Sequence, residues 1–175
     1  MKDYIFRKAE RLYLKHGTRN PYKLLKQMGV VVQISDRFTD DGLKGFCTIQ
    51  NRIRYVVING KLSEPEQKIV AGHEAGHLIL HTNEIKRSPQ QTLNDFYLYS
   101  NTGKIEYEAN MFAADFMIGD CDTLECINDE HMDYYSIASA LYIPPQLLDF
   151  KLRSMERRGY EVRLPAGVDS KFLGK

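Results

Sequence analysis

His73-Glu74-Ala75-Gly76-His77 sets two imidazoles and a carboxylate at a spacing that can do chemistry. On a helix, side chains four residues apart sit one turn above each other, so both imidazoles can reach one metal ion. The carboxylate between them then points beside that ion, where it can take a proton from an activated water. The chemistry is hydrolysis. It requires a helix over residues 73–77, a third protein ligand, and a coordination position left open for water.

The helix is legible. Ser63-Glu64-Pro65-Glu66 is a start signal, with Ser63 as N-cap, Glu66 as its capping-box partner and Pro65 in the first turn. From there to about Leu80, an apolar stripe runs through Ile69, Val70, His73, Gly76, His77 and Leu80, turning both histidines inward. Upstream, residues 3–15 have amphipathic spacing closed by Gly17, and Asn20-Pro21 begins a short helix over 22–28 stopped by Gly29. Residues 30–34 read as a strand, 36–44 as a turn-rich loop, and 45–49 and 52–58 as paired strands joined across Gln50-Asn51.

Downstream, residues 83–103 are mostly polar, with an aromatic patch at Phe96-Tyr97-Leu98-Tyr99 and no clear element; such a length is often functional. A strong helix over 104–118 follows, then a loop over 121–129 and a helix near 133–141. A break at Pro144-Pro145 precedes a helix over 146–158, and the last fifteen residues read as a loosely held tail. No internal repeat is present.

Three residues compete as third ligand: His81, Glu106 and Glu108. His81 lies eight residues beyond His73, roughly 12 Å along a continuous helix, whereas zinc bonds are about 2 Å. No glycine follows His77 to bend the chain back. At about 100° per residue Glu106 shares its face with Ala109, Asn110, Ala113 and Met117, a small-residue stripe suited to close packing, while Glu108 falls with Asp115 on the side read as solvated. Glu106 is the better ligand, and Asn110, one turn on, can hold a ligating group in place.

With 175 residues, 43% hydrophobic and 27% charged, the chain suits one domain with a real core. Its 24 basic and 23 acidic side chains leave a net charge of +1, which advertises neither nucleic acid nor an anionic membrane. No apolar run approaches a membrane span, the start lacks a signal-peptide core, and Cys47, Cys121 and Cys126 make no disulfide framework; together these predict a cytoplasmic protein. Cys121, Cys126 and His131 fit no usual zinc module. Residues 134–158 resemble a helix-turn-helix fragment whose last helix bears Lys151, Arg153, Arg157 and Arg158. Leu147, Leu148, Phe150, Leu152 and Met155 on that helix are better explained by packing on the core or on a protein partner, which argues against DNA binding.

The chain resembles the ImmA/IrrE family of zinc metallopeptidases over roughly residues 20–120. The likeness rests on the strand 53–58, Leu62-Ser63-Glu64, His73-Glu74-Ala75-Gly76-His77-Leu78-Ile79-Leu80-His81 and the block Glu106-Tyr107-Glu108-Ala109-Asn110-Met111-Phe112-Ala113-Ala114. It implies that His73, His77 and Glu106 bind one Zn2+ and that Glu74 is the catalytic carboxylate. The implied fold is α+β, a zincin-like metallopeptidase core of gluzincin type. In it a small twisted sheet packs on the active-site helix, its edge strand lying over that helix, with a second ligand-bearing helix and C-terminal helices. Residues 1–120 would form the metallopeptidase domain, and 121–175 a helical extension of the same compact unit.

Family members carried on phages and integrative elements cleave the repressor encoded beside them, and the short length here is more similar to that type. The expected activity is therefore endopeptidase cleavage of a helix-turn-helix repressor. The rival readings are a non-proteolytic repressor-binding module or a DNA-binding regulator, each with a structural metal. One departure stands out: Phe116-Met117-Ile118-Gly119 replaces the family's proline-containing helix end, so Gly119-Asp120 is expected to stop the helix. His81, Tyr97, Tyr99 and Tyr107 are all candidate donors to a developing oxyanion, His81 equally a structural histidine at the helix end. An extended substrate is expected to add to residues 52–58 as an edge strand. Manganese or iron fits the same ligands as zinc.

Overall fold

The computed structural model describes residues 3–38, 42–87, 93–94 and 103–162. In chain order the elements are α1 (Tyr4–His16), α2 (Pro21–Gln27), β1 (Val31–Ser35), β2 (Gly45–Gln50), β3 (Ile53–Asn59), α3 (Glu64–Leu80), α4 (Thr82–Arg87), β4 (Leu93–Asn94), α5 (Lys104–Met117), α6 (Asp120–Ile127), α7 (Tyr134–Ala140) and α8 (Pro145–Arg157). The class is α+β with a zincin-like core, as expected. Among the described residues no helix is long and apolar enough to cross a membrane.

The sheet runs β1-β3-β2-β4, with β1 parallel to β3 and the other pairs antiparallel. Asn51 and Arg52 both take positive φ, as a two-residue hairpin turn of the mirror-image type requires, so the β2–β3 turn lies one residue later than the sequence indicated. A larger correction concerns β3. It is paired on both sides, so residues 52–58 are not an edge and offer no free ladder to an extended substrate.

Helix α3 starts as its sequence dictates. The Ser63 backbone N–H and hydroxyl both bond the Glu66 carboxylate, at 3.1 and 2.7 Å. It is buried without a break from Ile69 to Leu78, because the sheet covers one side, α5 the other and α2 a third. Cys47, Val56 and Ile58 from the sheet, Leu24 and Leu25 from α2, Val70, Ala75 and Leu78 from α3 and Phe112 and Phe116 from α5 make the main core. The single inward stripe is thus part of a helix enclosed all round.

Other expectations change. Residues 83–103 contain most of α4 and all of β4, and residues 121–129, read as loop, lie mostly in α6. That helix is short: within its first turn Thr123 Oγ1 bonds Gly119 O at 2.8 Å, and a tertiary ion pair of Asp120 with α8 holds its start. Gly119 does not stop α5 in a left-handed turn. Ile118 is already extended, Gly119 caps the start of α6, and the Arg19 guanidinium donates to the carbonyls of Asp115 and Phe116 at 3.2 and 3.1 Å. The aromatic patch 96–99, with Tyr97 and Tyr99, and the tail from residue 163 lie outside the described residues.

Asp115 corrects a second reading. It is fully buried rather than solvated, because α1 and α8 cover the side of α5 that faces away from α3. Lys151, also fully buried, stands 3.6 Å from Asp115 and 2.6 Å from Asp120. Arg158 bonds Asp120 as well and lies 3.6 Å over the Phe6 ring. Burial pushes Asp120 up, but the hydrogen bonds from Arg158 and Lys151 outweigh it and hold the carboxyl at about 2. Burial pushes Asp115 above the usual carboxylate range, against the pull of Lys151. Two of the four basic residues of the helix-turn-helix-like segment are therefore turned inward and spent on internal ion pairs.

Candidate metal centre

Small residues let the two helices that carry His73, His77 and Glu106 touch. A Cβ added at Gly76 would stand 3.0 Å from the Ala109 carbonyl oxygen and 3.1 Å from its Cα; one at Gly72 would meet Met117 Sδ at 2.5 Å. Gly72 and Gly76 on α3 thus face Ala109 and Ala113 on α5, the stripe that also carries Glu106. Close approach brings that carboxylate onto the histidines.

His73 Nε2 and His77 Nε2 are 2.8 Å apart, and Glu106 Oε2 lies 3.2 Å from the first and 3.4 Å from the second. Both histidines are fully buried; the Glu106 side chain is 21% exposed, so the cluster opens on that side. Three donors on a tetrahedral ion with bonds of about 2 Å would stand about 3.3 Å apart, which these separations match. Among the described residues this is the only group of three such side chains with its donor atoms within 4.8 Å of one another. Burial pushes the Glu106 carboxyl up, but hydrogen bonds from His73 and His77 prevail and hold it well below the usual carboxylate range.

The far side of each ring is also engaged. His73 Nδ1 is 2.8 Å from Asn110 Oδ1, an acceptor, so Nδ1 carries the proton and Nε2 presents its lone pair to the cluster. Two nitrogens and a carboxylate oxygen converging within 2.8–3.4 Å are an electron-rich set that a cation would neutralise. The donor set therefore fits one divalent ion.

Glu74 is fully buried on the same helix. Its Oε1 lies under the first residue of β2, where a Cβ on Gly45 would come 3.7 Å from it and 2.5 Å from Val70 Cγ1. Glycine at 45 is what allows the strand to lie against Val70 of the same helix. His81 is buried and faces His77 and Glu108, not the donor cluster. Glu108, expected on a solvated face, is instead partly buried and bonded to His81 at 3.1 Å. Sequence phase missed this because His81 caps α3 and swings toward α5. The Tyr107 ring packs on Phe150 of α8, centroids 5.6 Å apart.

An α+β fold of zincin type with two helix histidines and a glutamate from a neighbouring helix defines the class of metallopeptidases. The chain belongs to the peptidase M78 family, described as the IrrE N-terminal-like domain, whose model matches residues 25–153. It is also similar to the uncharacterised immunity region protein 2 of Bacillus phage phi105, with 32% identity over 112 residues. That alignment takes in 64% of this chain and 66% of the phage protein, so it spans just under two thirds of that relative's length.

Proposed function

We propose that this chain is a zinc-dependent endopeptidase in which His73, His77 and Glu106 hold a single Zn2+ and Glu74 is the general base. The convergence of the three donor atoms, with Glu74 on the same helix, carries the reading. When bound, the ion supplies a Lewis acid that brings the pKa of water toward 7 and polarises the scissile carbonyl. Glu74 takes the proton from the attacking water and delivers it to the leaving amine. Its burial beneath β2 limits side reactions with bulk solvent. Asn110 keeps His73 in the tautomer and orientation that binding needs.

The substrate we assign is a helix-turn-helix repressor in the cytoplasm. Support comes from the likeness to a phage immunity-region protein, with which a repressor target is compatible, and from peptidase-family membership. A DNA-binding regulator is disfavoured because Lys151 and Arg158 are engaged internally. A repressor-binding module without cleavage would leave Glu74 idle beside an open coordination position.

The test is co-expression with a candidate helix-turn-helix repressor, followed by fragment masses and metal content. Wild type should yield discrete fragments and one zinc per chain. Glu74→Ala should keep the zinc and produce no fragments, and His73→Ala or Glu106→Ala should lose the metal. Full cleavage by the Glu74 variant would overturn the assignment.

A further inference from the structure

His81 is not part of the donor cluster, yet it is 4% exposed and has a charged neighbour. Its ring nitrogens face different partners: Nδ1 is 3.3 Å from His77 Nδ1, and Nε2 is 3.1 Å from Glu108 Oε2. Glu108 in turn stands 3.7 Å from Lys104, one helical turn earlier. Chemistry permits one order of protons along this chain when His77 offers Nε2 to a cation. A neutral imidazole using Nε2 as lone pair carries its proton on Nδ1, so His77 Nδ1–H donates. The atom facing it, His81 Nδ1, must accept. The His81 proton is then on Nε2 and is donated to Glu108, a carboxylate that can only accept.

We infer that His81 and Glu108 are positioning residues: two consecutive hydrogen bonds, from His77 to His81 and from His81 to Glu108, fix His77 in the tautomer and orientation that aim Nε2 at the metal site. The inference rests on the proposed ligand role of His77. The two ligating histidines are thus oriented by different devices. His73 has an amide oxygen behind it directly, whereas His77 reaches a carboxylate through a second imidazole. A carboxylate behind a ligating imidazole raises its basicity as a ligand, and here the effect is relayed. With both of its nitrogens committed in this way, His81 has no N–H left to offer an oxyanion.

Two measurements on the full chain test this, neither of them activity. In the zinc-loaded protein, long-range 1H–15N correlation spectra should show His81 with its proton on Nε2 and Nδ1 bare. Zinc affinity, from competition with a chromophoric chelator, should fall about ten- to hundred-fold in His81→Leu and in Glu108→Ala. It should recover most of the loss in His81→Gln, whose amide can accept from His77 and donate to Glu108. Glu108 is partly exposed, so its variant keeps the fold, checked by circular dichroism of the metal-free chain. A His81 proton found on Nδ1, or wild-type affinity in both His81→Leu and Glu108→Ala, would overturn the inference while leaving the ligand assignment standing. Wild type that binds no zinc would sink the ligand assignment and this inference together.

Discussion

A ring nitrogen can be offered to a cation only if the proton on the same ring has somewhere to go. At His73 that place is Asn110 Oδ1, 2.8 Å away and 1% exposed with the rest of its residue. Asn110→Leu keeps the approximate volume and removes the acceptor. The His73 N–H is then buried without a partner, which costs about 1–3 kcal/mol, and metal affinity should drop about ten- to hundred-fold. Chelator competition and urea denaturation of the metal-free chain measure the two losses separately. Asn110→Asp, which still accepts, should lose far less affinity. At this scale the sequence was informative: the four-residue spacing of His73 and His77 and the helical phase of Glu106 and Asn110 follow from helix geometry alone. Glu108 was not legible, because its partner His81 sits where α3 ends and periodicity no longer tells where a side chain points.

Among the elements, the crossing of α3 and α5 decides whether His73, His77 and Glu106 can meet. Gly76 lies against the backbone of Ala109, so a larger side chain must separate the helices. Gly76→Val should cost about 1–3 kcal/mol from overpacking and should weaken zinc binding, because Glu106 moves away from both histidines. Denaturation midpoints and zinc stoichiometry check it; a variant that loses stability but binds zinc like wild type would mean the crossing does not set the site. The strong helix α3 was readable from its cap and period and α5 from its period, and the hairpin strands from their alternation and turn. Helix α6 was not, since eight residues are too few to carry a clear helical period and its start is held by Asp120 pairing with Lys151 and Arg158. The position of β3 inside the sheet was also hidden, because strand order depends on long-range pairing and not on local pattern.

Across the whole molecule, α8 is fastened to α5 by apolar contacts and by a buried charge network. Met111, Ala114 and Ile118 pack with Leu147 and Phe150, and beside them Lys151 faces Asp115 and Asp120. Ser154 adds a hydrogen bond to Asp115 at 2.8 Å. Lys151→Met leaves Asp115 buried without its nearest cation and should destabilise the chain by about 3–5 kcal/mol. Adding Asp115→Leu should restore much of that loss, since two apolar side chains of similar size remove the desolvation cost together. Equilibrium denaturation of the single and double variants gives the comparison, and an additive double variant would show that the two groups do not interact. The matched family stretch, 25–153, takes in α6 and α7 and ends within α8, in keeping with this packing.

Local periodicity and side-chain chemistry by themselves determined the helix that carries His73, Glu74 and His77 and the inward face of the later helix that carries Glu106. Each of these depends on residues within a few turns of one another, where geometry repeats. Tertiary structure alone decided that Asp115 and Lys151 are buried, that β3 is interior, and that Glu108 reaches His77 through His81. Those outcomes depend on which elements meet across the core, and the free energy of such meetings is set by packing between residues far apart in the chain.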